Sequence, residues 1–105
     1  MPDNDITVVD NPEKHRYEAR DGDGSVLGFA AYQRGHEVVV MTHTEVDDAQ
    51  EGKGVGSRLV RGALDAVRDG GLKVMPSCPF VREYIERHEE YGDLVYQPSR
   101  STARD

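Results

Sequence analysis

Three glycines alternate with other residues in the stretch EGKGVG, Glu51 to Gly56, just before a run with helical spacing. Gly52, Gly54 and Gly56 can adopt backbone conformations closed to other residues and let a second group approach the main chain. The first turn of a helix carries N–H groups without an intrahelical partner, and their partial positive charge suits an anion. Lys53, Ser57 and Arg58 add charge or a hydroxyl at the rim of such a cradle. The chemistry implied is phosphate binding, and spacing narrows it. A Walker loop needs Ser or Thr after its GK pair, whereas Lys53 is followed by Gly54; a dinucleotide fingerprint needs GxGxxG, whereas this run is GxGxG. A tight structural turn is the competing explanation, yet three alternate glycines exceed what one turn needs.

The elements that must hold this loop are strands first and helices later. DITVVD (5–10), HRYEAR (15–20), SVLGFAAYQR (25–34) and EVVVMTH (37–43) mix alternation with β-branched and aromatic residues. Asn11-Pro12, Asp21-Gly22-Asp23-Gly24 and Gly35 separate them, so they read as an antiparallel meander. From Gly54 to about Arg68, residues Val55, Leu59, Val60, Ala63, Leu64 and Val67 share one helical face, and Gly70-Gly71 ends the helix. LKVM (72–75) reads as a short strand and FVREYIERHEEY (80–91) as a second amphipathic helix. A strand–helix–strand crossover makes parallel neighbours. The expectation is therefore an α+β fold with a mixed, mostly antiparallel sheet. It forms one domain over 1–105, with its core at about 6–96 and a disordered tail at 97–105.

Bulk properties exclude more than they assign. At 105 residues and 36% hydrophobic content, one modest core is expected. No apolar run approaches the roughly 20 residues of a membrane span, and MPDNDITVVD lacks the pattern of a signal peptide, which points to a cytoplasmic protein without a membrane partner. A net charge of −7 argues against a sequence-independent grip on nucleic acid. The single cysteine, Cys78, rules out an internal disulfide framework. His15, His36, His43 and His88 are scattered without close ligand spacing, so no metal is expected. An open sheet edge would allow a monomer or a weak homodimer.

The glycine run, the element order and the stretch from HTEVDDAQ to EEYGDLV together resemble the GNAT acetyltransferases, and in particular their minimal stand-alone group, over about residues 6–96. In that superfamily the loop pattern is Arg or Gln, two residues, Gly, one residue, then Gly or Ala. Glu51 stands where Arg or Gln is usual, which suits a phosphate only if its side chain turns away. The resemblance implies acetyl-CoA (coenzyme A) as cofactor, with the pyrophosphate on Glu51, Gly52, Lys53, Gly54, Val55, Gly56, Ser57 and Arg58. It also implies the pantetheine arm beside Thr44, Glu45 and Val46. The early helices that larger relatives use around the acceptor have no counterpart before Gly52, which leaves the amine acceptor undefined.

Acetyl transfer to an amine requires removal of a proton, since an alkylamine of pKa about 10.4 is mostly charged at neutral pH. His43 has the better intrinsic pKa for the base; Glu45, or water, is the alternative. Cys78, in MPSCPF, is open to three roles: covalent acetyl acceptor, polar wall near the sulfur, or packing residue. The resemblance implies that Tyr84 protonates the departing thiolate. The expected function is an acetyl-CoA-dependent N-acetyltransferase; the alternative is a non-catalytic acyl-CoA sensor or interaction module.

Overall fold

Alternation along the first half of the chain produces a sheet whose strand order follows chain order. The strands are β1 (Thr7–Asn11), β2 (Arg16–Arg20), β3 (Val26–Arg34), β4 (Val38–Val46) and β5 (Lys73–Pro76). The computed structural model describes residues 6–50 and 52–97. Pairing is antiparallel from β1 to β4 and parallel between β4 and β5, as the crossover predicts. Helix α1 (Val55–Asp69) makes that crossover, and α2 (Pro79–Arg87) follows β5. The mixed α+β class expected from the sequence is the one observed. Of the expected tail, residues 98–105 lie outside the described residues.

Two boundaries differ from the sequence expectation by three residues or more. Strand β4 runs on to Val46, past the expected end at His43. Helix α2 stops at Arg87, because His88 leaves helical space at φ −128°, ψ 86° and the chain continues as a 3-10 helix over Glu89–Leu94. That tighter turn puts Tyr91 and Leu94 into the core. The Tyr91 hydroxyl donates to Asp65 at 2.7 Å; burial and this carboxylate push its pKa up to about 12.

Both helices pack on one face of the sheet. Leu59, Val60, Ala63, Leu64 and Val67 of α1, and Val81, Tyr84 and Ile85 of α2, join Tyr17, Ala19, Ala30, Tyr32, Val39, Met41 and Val74 in one cluster. Fully burying a side chain the size of Leu or Val stabilises the fold by roughly 1.5–3 kcal/mol. Gly62 permits the closest approach, since a Cβ there would lie 2.6 Å from Val8 Cβ on β1. The C-terminal segment covers the outer edge of β5: Val95 bridges Val74, and the Tyr96 N–H donates to the Val74 carbonyl at 2.8 Å. Arg68 holds that segment through Asp93 and the Glu90 carbonyl.

The opposite face carries no helix among the described residues. Registers line up Asn11, Arg16, Ala31 and His43 in one cross-strand row and Val9, Glu18, Phe29 and Glu45 in the next. Glu18, only 1% exposed, accepts hydrogen bonds from Asn11, Arg16 and Arg20. Burial alone would raise its pKa; the Arg20, Arg16 and Asn11 donors outweigh burial and hold the carboxyl at about 2.

Candidate functional site

Strand β4 carries a bulge at Thr42: Tyr32 pairs with Met41 and Ala31 with His43, leaving Thr42 without an opposite number. An extra residue reverses the side-chain alternation beyond it. Before the bulge Val39 and Met41 point into the core. After it Thr44 takes the core side, and His43 and Glu45 emerge on the open face, side-chain exposures 57% and 61%. Parallel pairing with β5 ends at the same place, with Met41 opposite Pro76. From Thr42 to Val46 the β5-facing edge of β4 has no strand beside it among the described residues.

The open stretch leads to the glycine loop. Gly52 and Gly54 have φ of 84° and 77°, in the left-handed region that disfavours a side chain, and a Cβ at either would meet nothing within 4 Å. The missing side chains therefore leave open space in front of the backbone. Gly54 is the N-cap of α1 with no side-chain cap. Its carbonyl accepts the Arg58 N–H at 3.1 Å, and the amides of Val55, Gly56 and Ser57 ahead of it have no acceptor among the described residues, as at a helix start. Gly56 also serves packing, since a Cβ there would lie 2.8 Å from the Phe80 ring. Val46, Gln50, Gly52, Gly54, Val55, Gly56, Ser57 and Phe80 line a shallow cleft of about 250 Å³. Lys53 stands exposed at its rim. Glu51, expected in the cradle, lies outside the described residues.

At the other end of the open edge lies the thiol. Cys78 is the N-cap of α2, 5% exposed, and its N–H donates to the Met41 carbonyl at 2.9 Å. Its Sγ is 3.4 Å from Thr44 Oγ1. His43 Nε2 is 2.9 Å from Glu45 Oε2, and the His43 ring lies 6.2 Å from that of Phe29. The structure thus couples His43 with Glu45, and Cys78 with Thr44, on opposite faces of β4. It does not bring the imidazole to the thiol. Tyr84 stacks on His88 with ring centroids 3.9 Å apart. With Ser57, Phe80, Glu83, Arg87 and His88 it lines a second cleft of about 230 Å³ between the helices. Burial raises the pKa of its phenol, Arg61 opposes, and Glu90 and Asp65 add to the rise.

Sequence reasoning missed Phe80 and Gln50. Phe80 has a readable signal: it falls outside the Val81, Tyr84, Ile85 stripe of α2, and it is 43% exposed. Among the described residues no cluster of three or more His, Cys, Asp or Glu is arranged to hold a metal ion, and no helix is long and apolar enough to cross a membrane.

Over 54 residues, half of this chain (51%), the sequence is 35% identical to Protein NATD1 of Gallus gallus and of Homo sapiens. That match spans 49% and 48% of the two relatives, so the chain matches about half their length. The solution structure of a GCN5-like protein from Staphylococcus aureus, described as a candidate N-acetyltransferase, superimposes with a TM-score of 0.66. It covers 96% of this chain and 98% of that one at 20% identity, which is a likeness of fold. The family model described as GCN5-related N-acetyl-transferase matches residues 16–94, and on that match the chain belongs to the GCN5-related N-acetyltransferase family.

Proposed function

We propose that the protein transfers the acetyl group of acetyl-CoA to a primary amine. The observation that carries this reading is the continuous path from the bare start of α1 along the unpaired edge of β4 to the Thr44–Cys78 pair. Open space at Gly52 and Gly54 fits a pyrophosphate against the helix-start amides, and the free β4 edge fits the amides of a pantetheine arm. When bound, the cofactor supplies an activated thioester.

The chain's own groups divide the remaining work by face. His43 and Glu45 stand on the open face, from which an amine can approach. If Nε2–H is donated to Glu45, Nδ1 remains as the proton acceptor, so the pair replaces the choice between two bases with one oriented base. In the transfer an N–C bond forms and the C–S bond breaks. The amine proton passes to His43 Nδ1, and the sulfur takes a proton as it leaves. The Thr44 hydroxyl and Cys78 thiol supply polarity on the sulfur side, and no base touches Sγ among the described residues, which favours the wall over the nucleophile. Tyr84, kept protonated by burial, is a hydroxyl donor on the α2 side.

Calorimetry and turnover together test the reading. Gly54→Asp should abolish acetyl-CoA binding, and retained affinity would remove the cradle from the account. His43→Ala should keep binding and lose on the order of 10²–10⁴ in turnover. Wild-type binding without turnover of any amine would leave the acyl-CoA sensor in its place.

A further inference from the structure

On the open face, Arg16, Ala31 and His43 stand directly opposite one another on β2, β3 and β4. Ala31 offers only a methyl group. The row therefore dips between a guanidinium and an imidazole two strands apart, roughly 10 Å at the spacing of neighbouring strands. Phe29 borders this trough in the adjacent row: the Arg16 guanidinium carbon lies 4.4 Å from its ring centroid, and the His43 ring lies 6.2 Å away.

The two ends of the trough carry opposite chemistry. Arg16 is anchored by its Nε, which donates to Glu18 at 2.8 Å, while its two terminal nitrogens have no acceptor among the described residues. Arg16 and Arg20 share the one carboxylate of Glu18, leaving one net positive charge at this end. At the other end the exposed Glu45 carboxylate, paired with His43, attracts an ammonium group. A zwitterion meets both ends, its carboxylate the positive one and its ammonium the negative one.

We infer that this trough seats the acceptor, and that the acceptor is a small amino acid whose amine and carboxylate are separated by a short apolar chain. The amine rests against His43 and Glu45, the carboxylate takes the terminal nitrogens of Arg16 as a charge-assisted pair, and the chain lies over Ala31 and Phe29. The inference rests on the transferase reading above and uses the same transfer, with the amine proton passing to His43. Arg16 is thereby a specificity residue. It holds the end of the acceptor that does not react.

The full-length chain is assayed for acetyl-CoA-dependent thiol release with 6-aminohexanoate and 6-aminohexanamide, which differ only in the carboxylate. KM for the acid is expected to be lower by on the order of ten- to a hundredfold. Arg16→Gln should raise it to the value for the amide with kcat unchanged, and Arg16→Lys should restore part of the difference. Far-UV circular dichroism checks that the variants fold, and Phe29→Leu, expected to weaken the acid, serves if Arg16→Gln does not. Independently of turnover, 6-aminohexanoate should shift the amide resonances of Arg16, Phe29 and Ala31. Equal KM values for acid and amide overturn the inference, as does absence of those shifts. Acetyl-CoA binding with neither turnover nor shifts overturns the acceptor assignment and leaves the cofactor site standing. Loss of acetyl-CoA binding itself removes the transferase reading, and the resonance shifts still report on the trough.

Discussion

Glu18→Gln tests whether the buried carboxylate on the open face is held by its arginines as the geometry requires. Its folded pKa of about 2 lies below the ordinary 4.5. A depressed carboxylate pKa stabilises the fold fully above the unfolded value, and that contribution is lost as pH falls through the folded one, here between about 4.5 and about 2. The whole shift corresponds to about 3 kcal/mol. Arg16 and Arg20 have side-chain exposures of 23% and 37%, so solvent screening brings the expectation to about 2 kcal/mol. Urea unfolding followed by circular dichroism at about pH 6 and about pH 2.5 should show wild type losing about 2 kcal/mol more than Glu18→Gln. At neutral pH the variant should already be less stable, because it leaves two partly buried guanidinium groups without their carboxylate. Parallel loss of stability in the two proteins across that interval would refute the assignment of the low pKa to the Arg16–Glu18–Arg20 cluster.

Two further outcomes follow from packing. Gly62→Ala drives a methyl to within 2.6 Å of Val8 Cβ and should cost roughly 1–3 kcal/mol, with Val8→Ala restoring most of it in the same denaturation assay; independent, additive losses would count against the contact. Arg68→Ala removes the contacts to Asp93 and the Glu90 carbonyl, and hydrogen exchange of the Tyr96 amide should accelerate several-fold while amides in β2 and β3 stay protected; unchanged exchange would show that the segment holds itself.

The sheet, the crossover and the glycine loop were legible because each rests on a local pattern: period two in β1 to β4, the 3.6 period in α1, and the bare run Gly52 to Gly56. The facing of the chemistry was not. Simple alternation carries Val39 and Met41 on to His43 and Glu45 and would bury both; Thr42, an unremarkable residue by type, reverses that outcome through a bulge that exists only because β3 supplies the register. The pairing of Cys78 with Thr44 is likewise non-local, since it depends on where β5 stops beside β4. The end of α2 was overestimated because HEEY continues helical composition, while burial of Tyr91 and Leu94 favours a tighter turn. Gly56 read as one more cradle glycine; its contact with Phe80 links two segments that no local window contains.

The cover that Val95 and Tyr96 lay over β5 also sets how copies of this sheet can associate. With that edge occupied, and with the Thr42–Val46 stretch of β4 given to the proposed cofactor, β1 is the one remaining lateral edge without a strand beside it among the described residues. A sheet that can accept a neighbour on one side only has a valence of one. Joining two such edges closes a symmetric pair and consumes both, so strand addition ends at a dimer and cannot propagate into a filament.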